Sequence, residues 1–166
     1  KMKTRYFLAA AVLVFLFISN SYSQSSYSFN EGLNAAKSSG KMIFLDIYSG
    51  SDNWSKKMDS EVYTSDAVKN ALSGFVFIKL NADGPDKYSY GKKNYTSGEL
   101  AKQFGGTGYP TFVFMNSDGS VISFKYNKEN TSSLSGFIGA DDFAELLSFF
   151  AQGKYKDTDL STIFQN

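Results

Sequence analysis

Two rhythms of hydrophobic and polar positions alternate along this chain. In residues 28–39, Phe29, Leu33 and Ala36 recur at helical spacing, and Gly40 ends the pattern. Residues 42–48 are a continuous apolar run broken only by Asp46, which predicts a buried strand. The turn Ser49-Gly50-Ser51-Asp52 closes on a helix-capping residue and leads into a helix through Trp54, Lys57 and Met58. Ser65-Asp66 opens a short helix with Val68, Ala71 and Leu72 inside, and residues 75–80 form a second apolar strand. Residues 81–96 are polar, which predicts a functional or mobile loop. Ser97 is expected to cap a helix through Leu100, Ala101 and Phe104, ended by Gly105-Gly106. Tyr109-Pro110-Thr111 opens a strand over 112–115, Ser117-Asp118-Gly119 turns it, and 121–126 return. A polar loop fills 127–135. The last helix starts at Ala140-Asp141-Asp142, aligns Phe143, Leu146, Leu147 and Phe150 on one face, and stops at Gly153. After residue 156 a tail either adds a helical turn or frays.

Helices thus alternate with buried strands and a hairpin closes the set. The pattern predicts one α/β domain, a central mixed sheet flanked by helices on both faces.

The first 23 residues read differently. Lys3 and Arg5 precede an apolar run over 7–18, and Ser21 and Ser23 supply small residues before Gln24. This is the pattern of a secretory signal peptide; the run is short for a membrane span, and a retained N-terminal anchor is the alternative. The expected organisation is a signal peptide over 1–23, a domain over 24–156 and a tail over 157–166. The expected location is exported, periplasmic or extracellular, with no membrane association after cleavage.

Charge changes with that reading. The 17 basic residues include Lys1, Lys3 and Arg5; without them 14 remain against 16 acids, a net charge of −2. No basic stripe suggests a nucleic-acid partner. The chain has no Cys and no His. That excludes a disulfide, a thiolate nucleophile, a Cys/His zinc site and a Ser-His-Asp triad. No metal or cofactor is expected. Asp83 and Asp86 in the 81–96 loop lack the spacing of a calcium loop, and a solvated loop is the plainer reading. The 16 Phe and 11 Tyr either fill a core or leave a binding surface, with Tyr88, Tyr90 and Tyr95 as one candidate. Asn53, Asn94 and Asn130 each begin an Asn-x-Ser/Thr sequon.

Several segments, in order, resemble the thioredoxin-like superfamily. Asp46-Ile47-Tyr48 followed by Trp54-Ser55-Lys56-Lys57-Met58-Asp59 is similar to the family's strand, its Trp-Cys-x-x-Cys and the Lys-x-Met that follows. In this register the two family cysteines fall at Asp52 and Ser55, so that Asp-Asn-Trp-Ser replaces the dithiol motif. Asp46, six residues before the first position, matches the family's buried acid. Gly108-Tyr109-Pro110-Thr111 resembles its cis-proline loop, and residues 136–155 resemble exported thioredoxins of the SoxW type. The resemblance implies a thioredoxin-like fold over about residues 30–156.

It also implies a dithiol site that, as written, has no catalytic residue. A carboxylate at a helix start is stabilised as a thiolate would be, but it cannot exchange disulfides. Asp52 reads as a cap before it reads as an acid or base. Asp46 is either a proton relay left from redox ancestry or a buried acid bonded to Ser55 or water. Trp54, Tyr109, Pro110 and Thr111 are expected to border the former active-site groove, where Trp54 and Tyr109 either stack on an extended peptide or protein partner or cover a gap. Three functions follow. The chain is a redox-inactive binding module, a thiol–disulfide oxidoreductase whose cysteines are absent from this version, or a structural subunit of an envelope assembly.

Overall fold

The computed structural model describes residues 25–164; the expected signal peptide lies outside them. The alternation in the central strands dictates the layers. Strand β1 (Ile43–Tyr48) points Ile43, Leu45 and Ile47 to one face and Phe44, Asp46 and Tyr48 to the other, as a period of two requires. It pairs in parallel with β2 (Val76–Asn81) and antiparallel with β5 (Thr111–Met115), and β5 pairs with the short β8 (Leu134–Ser135). The sheet order is β2-β1-β5-β8.

One face packs on α1 (Phe29–Ser39) and α4 (Ser97–Gln103), around Phe29, Ile43, Leu45, Ile78 and Leu100. The other packs on α3 (Asp66–Leu72) and α5 (Ala140–Ala151) and is largely aromatic: Phe44, Phe77, Phe112, Phe114, Phe143 and Phe150 lie within it, with Phe114 and Phe150 stacked 3.6 Å apart. The abundance of phenylalanine is therefore mainly a core property. Helix α1 lies so close to the sheet that a Cβ at Gly32 would meet Ile78 Cγ1 at 2.3 Å, so the position needs a hydrogen there.

Four expectations change. The 81–96 stretch is not a loop: β3 (Lys87–Tyr90) and β4 (Lys93–Thr96) form a hairpin. Its Tyr88 and Tyr90 pack edge-on against Phe29, and Tyr90 also against Phe104, so they are core rings rather than a ligand surface. The cap of α4 is Thr96, not Ser97; its hydroxyl accepts from Glu99 N–H while Glu99 reaches back to the Thr96 amide. The helix from Asn53 is α2 (Asn53–Lys57) followed by a π turn, Met58–Val62.

The fourth change concerns the return strand over 121–126. Only Val121 bridges Met115, and Ile122 N–H donates to Phe114 O. The chain then leaves to form the hairpin β6 (Phe124–Tyr126) and β7 (Glu129–Thr131) before β8 rejoins β5. Phe124 packs against Phe150, which draws the hairpin onto the α5 side. Asn127 and Lys128 take positive φ at its tip, where the Asp159 carboxylate accepts both of their amides. The tail does not fray over its described length. It forms a 3-10 turn, Leu160–Phe164, with Leu160 fully buried.

Candidate functional site

The C-terminal end of β1 and the start of α2 bring the site together. Ser49 ties the turn: its hydroxyl donates to Asp83, and its carbonyl accepts from Asp52 N–H at 3.2 Å. Asp52 has extended backbone and its carboxylate accepts from Ser55 N–H at 2.6 Å, so it is the N-cap of α2. Ser55 is buried, and its Oγ has no hydrogen-bond partner. Asp52 is thus a helix cap and Ser55 a buried hydroxyl. Neither side chain can exchange disulfides.

Asp46 lies beneath this turn, 1% exposed, on the aromatic face of the sheet. Burial raises its pKa from the ordinary carboxylate range to about 7, against the opposing pull of Lys79 and Tyr63; Asp59 adds a small upward push. Lys79, beside Asp46 in the β1–β2 register, is ion-paired with Asp59 and lies over the Tyr48 ring. The Tyr63 hydroxyl is close enough to act on Asp46, yet neither it nor Asp46 Oδ1 completes a hydrogen bond of good geometry. Burial and Asp46 together push the Tyr63 phenol well above its usual range. The bond from Asp46 to Ser55 that the sequence allows does not form.

The Tyr109–Pro110 peptide is cis, and its loop is fastened from behind. Gly136 N–H donates to Pro110 O at 2.9 Å, and the Thr111 hydroxyl donates to Gly108 O at 2.6 Å while pairing with Ser135 Oγ at 2.7 Å. Pro110 and Thr111 are buried. Tyr109 is half-buried against the α1/α4 side, and its phenol is raised by burial and by Asp83. Among the described residues, neither the amide N–H nor the carbonyl of Tyr109 has a hydrogen-bond partner.

Trp54 is 53% exposed. Its ring does not stack on Tyr109; it packs on Phe137 at 5.5 Å, with Lys57 Nζ 4.7 Å above Phe137. Phe137 is the residue that sequence reasoning missed as part of the site. It links Trp54 to the cis-proline loop, because its neighbour Gly136 is bonded to Pro110. No group of three or more Asp or Glu side chains among the described residues is placed to hold a metal ion.

The layer order, the helix start after β1 and the cis peptide before β5 are the arrangement of one fold. The family model described as a thioredoxin-like domain matches residues 29–151. The chain belongs to the thioredoxin-like family. Solved structures agree on the fold. A thioredoxin-fold protein from Helicobacter pylori is 18% identical with a TM-score of 0.62, over 75% of this chain and 80% of that one. A thioredoxin from Thermus thermophilus is 22% identical with a TM-score of 0.54, over 75% and 84%. The oxidoreductase DsbH is 21% identical with a TM-score of 0.52, over 78% and 84%. No curated protein matches the chain. Within this family the chain stands without the cysteines that a dithiol needs.

Proposed function

We propose that this chain is an exported, redox-silent thioredoxin-fold module that holds an extended peptide or protein segment along the Tyr109–Pro110 edge, beside Trp54 and Phe137. The observation that carries this reading is the main chain of Tyr109. Among the described residues its N–H and C=O have no partner, on a loop whose next residues are tied to Gly136, Gly108 and Ser135. A fixed donor and acceptor of this kind, next to the start of β5, offer an edge to which a strand adds. The exposed Trp54 supplies an apolar contact next to that edge, where a side chain of the bound segment loses water. Asp52 supports the same reading, because its carboxylate keeps α2 capped without any exchange chemistry. Export rests on the basic and apolar pattern of residues 1–23.

The test is an amide NMR titration of the chain with S-carboxymethylated insulin B chain, an extended polypeptide unable to form disulfides. The Tyr109 amide and the Trp54 indole shift together, and the double substitution Trp54→Ala/Tyr109→Ala weakens binding at least about tenfold, the loss of one good apolar anchor. Shifts confined to other surfaces, or full binding by the double variant, would remove the reading.

A further inference from the structure

A second concave surface shares Phe137 with the Trp54 contact. It is a cleft of about 550 Å³ between the β6–β7 hairpin, β8, the start of α5 and the C-terminal turn. Three aromatic rings line it: Tyr126, Phe137 and Phe164, of which Tyr126 and Phe164 meet edge to face at 6.4 Å. Both charged residues in its lining are acids, Glu129 from β7 and Asp142 from the first turn of α5, and no Lys or Arg lines it. Lys57 Nζ, over Phe137, is paired with Glu61 at 3.7 Å.

We propose that this cleft receives a basic side chain, lysine or arginine, presented by a partner polypeptide. Neither carboxylate has an ion-pair partner among the described residues, so a cationic occupant is favoured over an anionic one. An aromatic ring met on its face attracts the same charge, and an apolar wall covers the methylene stem of such a side chain. The volume is within the range that holds small ligands and far exceeds what a single water needs. The remaining lining, Ser133 and Ser135 among it, offers hydroxyls that can accept from an ammonium or guanidinium. The inference extends the peptide-binding reading, since Phe137 borders both surfaces, but it is tested separately from it.

The probe is Nα-acetyl-lysine methylamide, titrated into the isotope-labelled chain. Two controls accompany it: the norleucine analogue, which keeps the stem and lacks the ammonium, and methyl glucoside, a neutral polyhydroxyl ligand. The amides of Glu129, Asn130, Phe137 and Asp142 respond to the lysine probe, with about tenfold weaker binding of both controls, as loss of one charge-assisted and cation–π contact predicts. The double variant Glu129→Gln/Asp142→Asn weakens lysine binding by about tenfold as well. Both side chains are exposed, so the variant folds, and its unchanged amide spectrum elsewhere verifies that. Equal response to norleucine or to the glucoside, an unchanged response in the double variant, or no saturable response at all would each overturn the proposal. None of these outcomes touches the Tyr109 edge, whose own probe is the carboxymethylated B chain.

Discussion

Asp52 and Ser55 set what the start of α2 can do. The Asp52 carboxylate caps the helix, and neither oxygen side chain can exchange disulfides. The Asp52→Ala variant is expected to lose about 1 kcal/mol of stability in urea unfolding, the usual worth of an N-cap. Insulin reduction separates geometry from chemistry. The chain itself is inactive, and Asp52→Cys/Ser55→Cys gains dithiol-dependent activity if the register Asp52/Ser55 is right; a folded but inactive double variant would refute that register. Asp46 makes a pH prediction. Its folded-state pKa, about 7, lies above the unfolded carboxylate value, so the native state holds the extra proton between those two values. Its contribution is therefore fully present below about pH 4 and is lost as pH rises toward 7, on the order of 4 kcal/mol across the window. Unfolding free energies at pH 4.5 and pH 8 should differ by much less in Asp46→Asn than in the parent. The sequence exposes the acid inside an apolar strand. It does not expose the neighbours Lys79 and Tyr63, which the sheet register and the π turn deliver.

At the scale of elements, the strands and long helices were legible because their periods are strong, and the irregular pieces were not. The Thr96-x-x-Glu99 box was readable as a helix start, but the adjacent serine drew the cap one residue too far. The β3–β4 hairpin was hidden because its strands are mostly polar outside Tyr88 and Tyr90, and those rings look like a surface until Phe29 is placed beneath them. The split of the return strand was hidden for a related reason: the alternation of Ile122, Ser123, Phe124, Lys125 and Tyr126 runs on unbroken, and the packing of Phe124 on Phe150 is not visible in it. Gly32 is the sharpest test at this scale. Alanine is the better helix former, by about 1 kcal/mol. Here its methyl would collide with a fully buried Ile78, so Gly32→Ala is expected to destabilise by about 1–3 kcal/mol in thermal or urea unfolding.

For the whole molecule, the C-terminal turn matters more than its polar sequence suggests. Leu160 is completely buried in the aromatic half of the core, and Asp159 holds the tip of the β6–β7 hairpin. Leu160→Ala is expected to cost about 2–5 kcal/mol, measured as a lower denaturation midpoint with an unchanged slope. The same substitution should loosen the cleft, since Phe164 follows on the same turn.

Sequence alone determined the α/β layering, the buried acid, the helix start at Asp52, the proline loop and the absence of thiol chemistry. The layering, the acid within an apolar strand, the cap and the missing thiols follow from local period, residue type and spacing, and the proline loop from the family resemblance; none needs a distant partner to be recognised. Tertiary structure alone decided that Trp54 rests on Phe137 rather than facing Tyr109, that the Tyr109 main chain has no partner among the described residues, and that Glu129 and Asp142 share one cleft with three rings. Each of these depends on segments far apart in the chain, joined by packing of aromatic side chains whose partners no local pattern specifies.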